Sequence, residues 1–470
     1  MPNRLTILAW LLAACVAMPI ARGLYDVPVQ VSDSLEPIVI AATYPSMSAL
    51  IADAPRFSPT TFRPLRYVQA RVMVALTEAT GLSFRAVFRG THVILFVALV
   101  GLFVMAARVR TGVDLAAFAI TLPVFFGIHT FAAMLQEAYP VNRFAEVGVG
   151  SLAVVVLALR PPRWYTAPLV CLLLANAVSV VESGVLIWIA VVASALAGLR
   201  GIDRPTLVSS TLLTVAYLGL RHWLGISSPG VGGNGSGYWD AFYSADELAA
   251  RFGSHPLPFM LYNVVGGTLS LLASEPRTGL YSLAVAAKTG EVHPVLTINL
   301  VSSLATTGLI VWYGIRRRRV PRAAWTDADR LYATALMVMA VNAALTLPYI
   351  KDEIISDAGL FYAVAAFVAV RELLDTLPLR SMLAVVPLAL GLTLVTGLWT
   401  FRAAGLHYLL RYDAFKTRNE WVDVLKPDRS NWPSNPRALD LTRRLRDEAI
   451  LGRVTSPTFL PRWGDRYWVE

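Results

Sequence analysis

The sequence predicts an all-α, polytopic integral membrane protein. Hydrophobic residues make up 56% of its 470 residues and charged residues 15%, whereas a soluble domain carries roughly 25% charge. The mean hydropathy is +0.56, and apolar runs of about twenty residues, long enough to cross a bilayer as a helix, recur along the chain. Because backbone polar groups cannot stay unpaired in lipid, these runs are predicted to be helices.

About eleven of these runs are predicted to span the membrane. In chain order they cover residues 5–21, 91–107, 114–133, 147–160, 165–181, 184–199, 205–223, 294–315, 330–348, 358–372 and 380–399. The stretch 259–273 is apolar but short, and counting it as a span would put the arginine run 316–319 on the wrong side of the membrane. We therefore expect it to be a re-entrant or interfacial helix.

Arginines in the short loops give the orientation. Loops rich in Lys and Arg lie on the cytoplasmic side, which places the N-terminus inside and the C-terminal tail outside. The residues concerned are Arg4, Arg108, Arg110, Arg160, Arg163, Arg200, Arg204, Arg316 to Arg319, Arg322, Arg371 and Arg380. They account for the net charge of +10, so nucleic acid is not a predicted partner. A bacterial inner membrane, with the functional surface facing the exterior, is the predicted location.

The predicted organisation is a transmembrane domain over residues 1–401 and a small external tail over 402–470. The transmembrane domain includes a large external loop at 22–90, acidic at its start and basic further on, which indicates chemistry at the membrane surface. The first apolar run also resembles a signal peptide or a lipoprotein cleavage box ending at Cys15. Its continuation to Ile20 favours a first span instead.

Five short motifs occur in order on the predicted external side. They are Val29 to Ile38 with its acidic residues, Phe62-Arg63-Pro64-Leu65, the loop His129 to Glu146, the turn Ser179 to Gly184, and Thr417 to Trp421. Together they resemble the membrane part of the GT-C glycosyltransferases, and most nearly the tetratricopeptide-containing protein O-mannosyltransferases.

The resemblance implies an enzyme that moves a sugar from a polyprenyl-phosphate carrier to an acceptor outside the membrane, with inversion at the anomeric carbon. The implied partners are that lipid-linked donor, membrane lipid, and a protein or glycan acceptor. Ser32 stands where the family has the first acid of a pair, and Val181 where it has a lysine. The resemblance therefore indicates the scaffold and the reaction class rather than the sugar or the acceptor.

One carboxylate near the membrane surface is needed as general base for the acceptor hydroxyl. Asp33, roughly a dozen residues past the first span, is the predicted catalytic residue. Asp26 and Glu36 are the local alternatives, and Glu36 is also a predicted substrate-binding residue. The competing interpretation of Asp33 is a solvated loop acid or a helix N-cap beside Ser32.

Basic side chains are needed to bind the departing phosphate, because a guanidinium pairs two phosphate oxygens at once. Arg63 is the first candidate, and snorkelling from an interfacial helix is its competing interpretation. Other groups at the predicted external side complete the candidate substrate-binding set. These are Glu137, Arg143, Glu182, Lys351 and Arg418.

No metal ligand set is predicted. A divalent metal ion is the one candidate cofactor, because His129, Glu137 and Glu146 share an external loop, but they make a poor metal signature. Tyr139 and the other external aromatic residues fit an interfacial aromatic belt and are assigned no role. Two other functions stay open. One is a polymerase or ligase of lipid-linked glycans, and the other is a transporter, against which the nearly charge-free span interiors argue.

Overall fold

A computed structural model describes residues 3–57, 62–137, 139–226, 236–238, 241–253, 257–273, 281–292, 294–376, 382–424 and 435–452. Helices make up almost all of these residues, as the all-α prediction requires. The helices of the first half are α1 Arg4–Asp26, α2 Ser32–Thr43, α3 Met47–Phe57, α4 Pro64–Thr80, α5 Phe84–Ala107, α6 Gly112–Gly127, α7 His129–Leu135, α8 Arg143–Ala158, α9 Thr166–Val178, α10 Val185–Ala197 and α11 Arg204–Trp223.

The second half of the chain continues the helical pattern. Its helices are α12 Ala245–Phe252, α13 Leu257–Ala273, α14 Tyr281–Thr289, α15 Pro294–Arg317, α16 Asp327–Ala344, α17 Ser356–Asp375, α18 Met382–Asp423 and α19 Pro436–Leu451. Short 3₁₀ helices occupy Glu182–Gly184 and Arg322–Ala324. A small sheet, absent from the prediction, contains β1 Ser236–Tyr238, antiparallel to β2 Ala241–Tyr243 and parallel to β3 Tyr349–Ile350.

Four helical stretches of the described chain are long and apolar enough to cross a membrane. They are Arg4–Asp26, Phe84–Ala107, Leu296–Arg317 and Val385–Val422. Two bent pairs, α6 with α7 and α12 with α13, raise the number to six if each pair is one broken span. The segment 259–273, predicted to be re-entrant or interfacial, belongs to the second pair.

The predicted count of eleven spans is not confirmed. The helices α8, α9 and α10 contain 16, 13 and 13 residues, whereas a straight span needs about twenty. One large core joins them to α1, α5, α6, α16, α17 and α18, although α9 leaves Leu169 and Leu172 exposed. Neighbouring helices can cover such short segments, so sequence hydropathy does not separate a buried helix from a spanning one.

The helix α11 has its polar side buried and its apolar side exposed. Thr206, Ser210 and Thr214 are buried on one side, while Leu212 and Val215 are exposed on another. A surface helix of a soluble protein shows the opposite distribution. An outward apolar stripe of this kind is typical of a helix that faces lipid.

Most of the basic loops meet at one end of the bundle, which we call the arginine end and define by Arg110, Arg317 and Arg371. Asn3 Nδ2 donates to the Arg110 carbonyl at 2.9 Å, and Arg317 pairs with Asp329 at 2.6 Å. Arg371 pairs with Asp114 in the first turn of α6. The helices α6 and α16 start at this end, so their far ends reach the opposite face of the bundle.

The first loop folds into helices rather than running as an extended chain. Its helices α2 and α4 pack together and against the end of α18 and α19, around a second core that contains Ile38, Val74 and Leu441. Trp421 is fully buried there, and its Nε1 donates to the Val29 carbonyl. We call this assembly of α2, α3, α4 and α19 the outer layer. The predicted boundary between 401 and 402 falls inside α18, which runs on without a break.

Candidate functional site

Arg63 and Glu182 form an ion pair between the first loop and the turn that joins α9 to α10. Arg63 immediately precedes α4, whose first residue Pro64 has the fixed φ angle that suits a helix start. The Leu65 amide donates to the Ser179 carbonyl at 3.2 Å, which ties the start of α4 to that turn. Arg63 Nη2 then lies 2.6 Å from Glu182 Oε2, and its Nε lies 3.2 Å from the same oxygen.

Glu182 contacts a second arginine. Arg221 Nη1, from the last turn of α11, lies 3.4 Å from Glu182 Oε1 and donates to the Tyr217 hydroxyl at 3.0 Å. Burial raises the pKa of the Glu182 carboxyl, but the charge and hydrogen bonds of Arg63 outweigh it and hold that pKa below its usual range. Burial likewise lowers the pKa of Arg63, and the Glu182 charge more than offsets this, so the pair is ionised.

Tyr139 contacts two further arginines. The Cζ atoms of Arg143 and Arg66 lie 3.7 Å and 4.0 Å from the centre of its ring. Asn142 fixes the position of Arg143, because its Oδ1 caps α8 by accepting from the Ala145 amide and its Nδ2 donates to the Met134 carbonyl. Burial lowers the pKa of Arg66, and the charge of nearby Arg143 lowers it further.

Lys351 and Glu353 bring a third segment to the same place. Burial alone would lower the pKa of Lys351, but the charges of Glu353 and Glu137 keep it raised. Burial raises the pKa of Glu353, to which the Glu137 charge also contributes. Glu137 Oε2 in turn lies 3.5 Å from Arg143 Nε. These charge interactions place the segment between β3 and α17 close to the loop before α8.

We call this group of charged residues the cation cluster. Its basic members outnumber its acidic ones. The cluster consists of Arg63, Arg66, Arg143, Arg221 and Lys351 with Glu137, Glu182 and Glu353. The helix α8 begins here at Arg143, and its other end lies at the arginine end, because the Gly201 amide donates to the Ala158 carbonyl at 2.9 Å and the neighbouring Gly198 faces Arg330 in the first turn of α16. The cation cluster therefore lies at the other end of the bundle, which we call the site end.

Five of the predicted site residues meet in this cluster. They are Arg63, Glu137, Arg143, Glu182 and Lys351. The other three lie elsewhere or are incompletely described. Asp33 belongs to the first turn of α2, but its side chain is outside the described residues. Glu36 is exposed on α2, and Arg418 lies on α18 one turn before Trp421. Among the described residues, no contact joins Glu36 or Arg418 to the cluster.

Four residues of this region were not predicted from the sequence to belong to the site. Arg66 follows Arg63 by three residues, and this spacing on a helix was the available signal. Arg221 was counted inside an apolar span, and Glu353 in a loop that carried no motif. Tyr139 was assigned to an aromatic belt, whereas it packs between charged groups.

The candidate metal ligands are not brought together. His129 Nε2 lies 3.4 Å from Asp352 Oδ1, and Glu146 accepts from Gln69 Nε2 at 2.9 Å. Glu137 instead faces Arg143. Within the described ranges no group of three or more His, Cys, Asp or Glu residues is placed to hold a metal ion.

The arrangement can bind an anion at a polar end of a hydrophobic bundle. Arg143 Nε and Nη1 are buried and have no hydrogen-bond partner among the described residues. Buried donors are normally satisfied, and oxygen atoms of a phosphate or carboxylate match a guanidinium well. The chain matches no family model, no curated protein and no solved structure at a significant level.

Proposed function

We propose that the protein is a membrane glycosyltransferase that takes a sugar from a polyprenyl-phosphate carrier at the cation cluster. The observation that carries this proposal is the surplus of cations at one end of an apolar bundle, where Arg143 Nε and Nη1 have no hydrogen-bond partner among the residues that the structure describes. A lipid phosphate has the same organisation, since its charged head lies at the membrane surface and its tail lies in the hydrocarbon core. The GT-C-like architecture of about eleven spans is part of the same proposal.

The chemistry follows from the charges. An acceptor hydroxyl attacks the anomeric carbon, a carbon–oxygen bond forms, and the bond from that carbon to the phosphate oxygen breaks. The electron pair leaves with the phosphate, whose growing negative charge the arginines stabilise. The hydroxyl proton goes to a carboxylate base.

Asp33 is the proposed base. Its helix α2 is fastened to α4, because Arg71 Nη1 donates to the Ala41 and Ala42 carbonyls at 2.7 and 2.9 Å. The helix α4 carries Arg66 and is preceded by Arg63. The proposed base and two proposed phosphate ligands therefore lie on or beside helices that pack against each other.

Binding of polyprenyl phosphate to the purified protein in lipid nanodiscs tests the proposal, with the uncharged polyprenol as reference lipid. We expect the phosphate to bind more tightly, and Arg143→Ala to weaken it by about tenfold or more, because each charge-assisted hydrogen bond contributes about 1.5–3 kcal/mol. Arg316→Ala is the matched control, since Arg316 pairs with Glu372 near the arginine end. The Asp33→Asn variant is expected to bind polyprenyl phosphate but to transfer no sugar from a polyprenyl-phosphate-linked donor.

Equal binding of polyprenyl phosphate and polyprenol by the wild-type protein would overturn the proposal. So would a loss of binding that is as large for Arg316→Ala as for Arg143→Ala, because the effect would then be a general response to lost surface charge.

A further inference from the structure

Tyr139 lies between two guanidinium groups. Arg143 and Arg66 both lie within 4.0 Å of its ring centre. Two guanidinium planes cannot occupy one face of a phenol ring at these distances, so one lies on each face. The ring attracts both through the negative charge of its faces, while the two cations repel each other.

The backbone on the C-terminal side of Tyr139 is fixed by buried contacts. The Pro140 carbonyl contacts His92 Nε2 at 3.2 Å, and Val141 is buried. Asn142 is fully buried and hydrogen-bonded through both ends of its amide. The backbone that follows the ring is thus held in place, and the ring contacts both arginines.

Arg143 differs from Arg63 and Arg221 in its hydrogen bonds. Arg63 and Arg221 share the Glu182 carboxylate, which neutralises part of their charge. Arg143 also forms an ion pair, with Glu137 at 3.5 Å, but this distance is too long for a good hydrogen bond. Its buried Nε and Nη1 donors have no hydrogen-bond partner within the described ranges, so they can bind a ligand.

We propose that Tyr139 is a positioning residue that holds Arg66 and Arg143 as a paired guanidinium site for a dianionic phosphate monoester. This inference rests on the proposed function, in which that monoester is the lipid carrier after it has lost its sugar. The sugar-linked donor is a phosphodiester with a single negative charge, whereas a phosphate monoester carries about two at pH 7. Two fixed cations therefore favour the phosphate monoester over the phosphodiester.

A preference for the dianion would accelerate the transfer. Only interactions that are stronger in the transition state than in the bound donor speed the chemical step. Charge develops on the phosphate as the sugar leaves, so a site matched to the monoester stabilises the transition state more than the donor.

The test compares two lipid probes at pH 7.5 in nanodiscs: polyprenyl phosphate and its methyl diester. In the wild-type protein we expect the monoester to bind about tenfold more tightly, which corresponds to about 1.4 kcal/mol at 25 °C. Tyr139→Leu should remove most of this preference, and Tyr139→Phe should retain it because the ring remains. Tyr243→Leu is the control, since Tyr243 stacks with Arg251 in another part of the chain at 4.4 Å.

Arg66→Lys provides a second test that leaves Tyr139 in place. It conserves the charge but removes the planar group that stacks and donates in pairs, so the preference for the monoester should fall although the net charge is unchanged. The inference is overturned if the preference survives both Tyr139→Leu and Arg66→Lys, or if Tyr139→Phe loses it as fully as Tyr139→Leu. In both cases the monoester would still bind more tightly than polyprenol, so the proposed function would stand. Failure of the proposed function would instead appear as no binding above polyprenol.

Discussion

Glu182 shows how a single carboxylate organises the site. It lies between Arg63 and Arg221, so its loss would leave two cations close together in a partly buried place. Its effect is structural as well as electrostatic, because Arg63 immediately precedes α4 and Arg221 lies in the last turn of α11. One side chain therefore joins the outer layer to the bundle.

We expect Glu182→Gln to destabilise the protein by about 2 kcal/mol at pH 7, the scale of a hydrogen bond to a charged group. The pKa of Glu182 is lowered in the folded protein. The ionised carboxylate therefore makes its full contribution to the free energy of unfolding above the usual glutamate pKa, and this contribution is lost as the pH falls through the lowered pKa. The difference in stability between wild type and variant should therefore narrow in acid. Thermal unfolding in nanodiscs across a pH series measures it.

The control for this prediction is Glu372→Gln, which removes the partner of the exposed Arg316 and should cost less than 1 kcal/mol, roughly the value of a surface pair. A Glu182→Gln protein that unfolds at the same temperature as wild type at pH 7 would show that the ion pair does not hold the outer layer.

The sequence predicted individual site residues where a motif marked them. Arg63 and Glu182 lie in such motifs, and the structure brings them within 2.6 Å. Arg66 and Arg221 could not be chosen in the same way, because their roles depend on contacts between segments that are far apart in the chain. The prediction that Asp33 is the base remains a prediction.

At the scale of elements, the tight turn after α9 decides where Glu182 lies. A Cβ on Gly184 would come within 2.5 Å of the Ala177 carbonyl carbon and the Val178 nitrogen. Both are backbone atoms, which cannot move aside as a side chain can. The glycine therefore allows the 3₁₀ helix Glu182–Gly184 to fold back against α9.

We expect Gly184→Ala to push this turn away from α9 and to displace Glu182 from Arg63. Overpacking of this kind typically costs 1–3 kcal/mol, so unfolding should occur at a lower temperature and polyprenyl phosphate should bind more weakly. Gly219→Ala is the matched control, because Gly219 on α11 has open space around the added carbon. Equal behaviour of the two alanine variants in the binding and unfolding measurements would contradict the prediction.

Hydropathy predicted the existence of most helices but not what surrounds each of them. The helices α8 and α10 were predicted to span the membrane because they are apolar, yet they are short and mostly buried by their neighbours. The first loop has a polar sequence, yet it forms α2, α3 and α4. These helices are stabilised because Ile38 and Val74 share a core with Trp421 from the C-terminal part of the chain. Such a core depends on pairing distant segments, which a local pattern does not contain.

At the scale of the whole molecule, the positions of the arginine end and the site end predict how the protein is oriented in the membrane. In a protein with Cys15→Ala and Cys171→Ala, single cysteines can be placed at Ala79 on α4 and at Ala324 between α15 and α16, both exposed. Loops rich in arginine face the cytoplasm. A membrane-impermeant maleimide should therefore label Ala79→Cys in intact cells, and Ala324→Cys only after the membrane is opened.

Labelling in the reverse order would place the cation cluster on the cytoplasmic side. Transfer from a lipid carrier at the outer surface would then be ruled out, even if the carrier binds. The two unsubstituted alanine positions in the same cysteine-free protein give the background signal for both measurements.

The long helix α18 runs from the bundle into the outer layer. With 42 residues and a rise of about 1.5 Å per residue it is about 63 Å long, roughly twice the thickness of a hydrocarbon core. One part of it packs on the bundle, and its far part carries Trp421 into the outer layer. Because one continuous helix runs from the bundle into the outer layer, a tilt of α18 inside the bilayer would also displace Trp421 and the Val29 carbonyl that it contacts, just before the helix that holds Asp33.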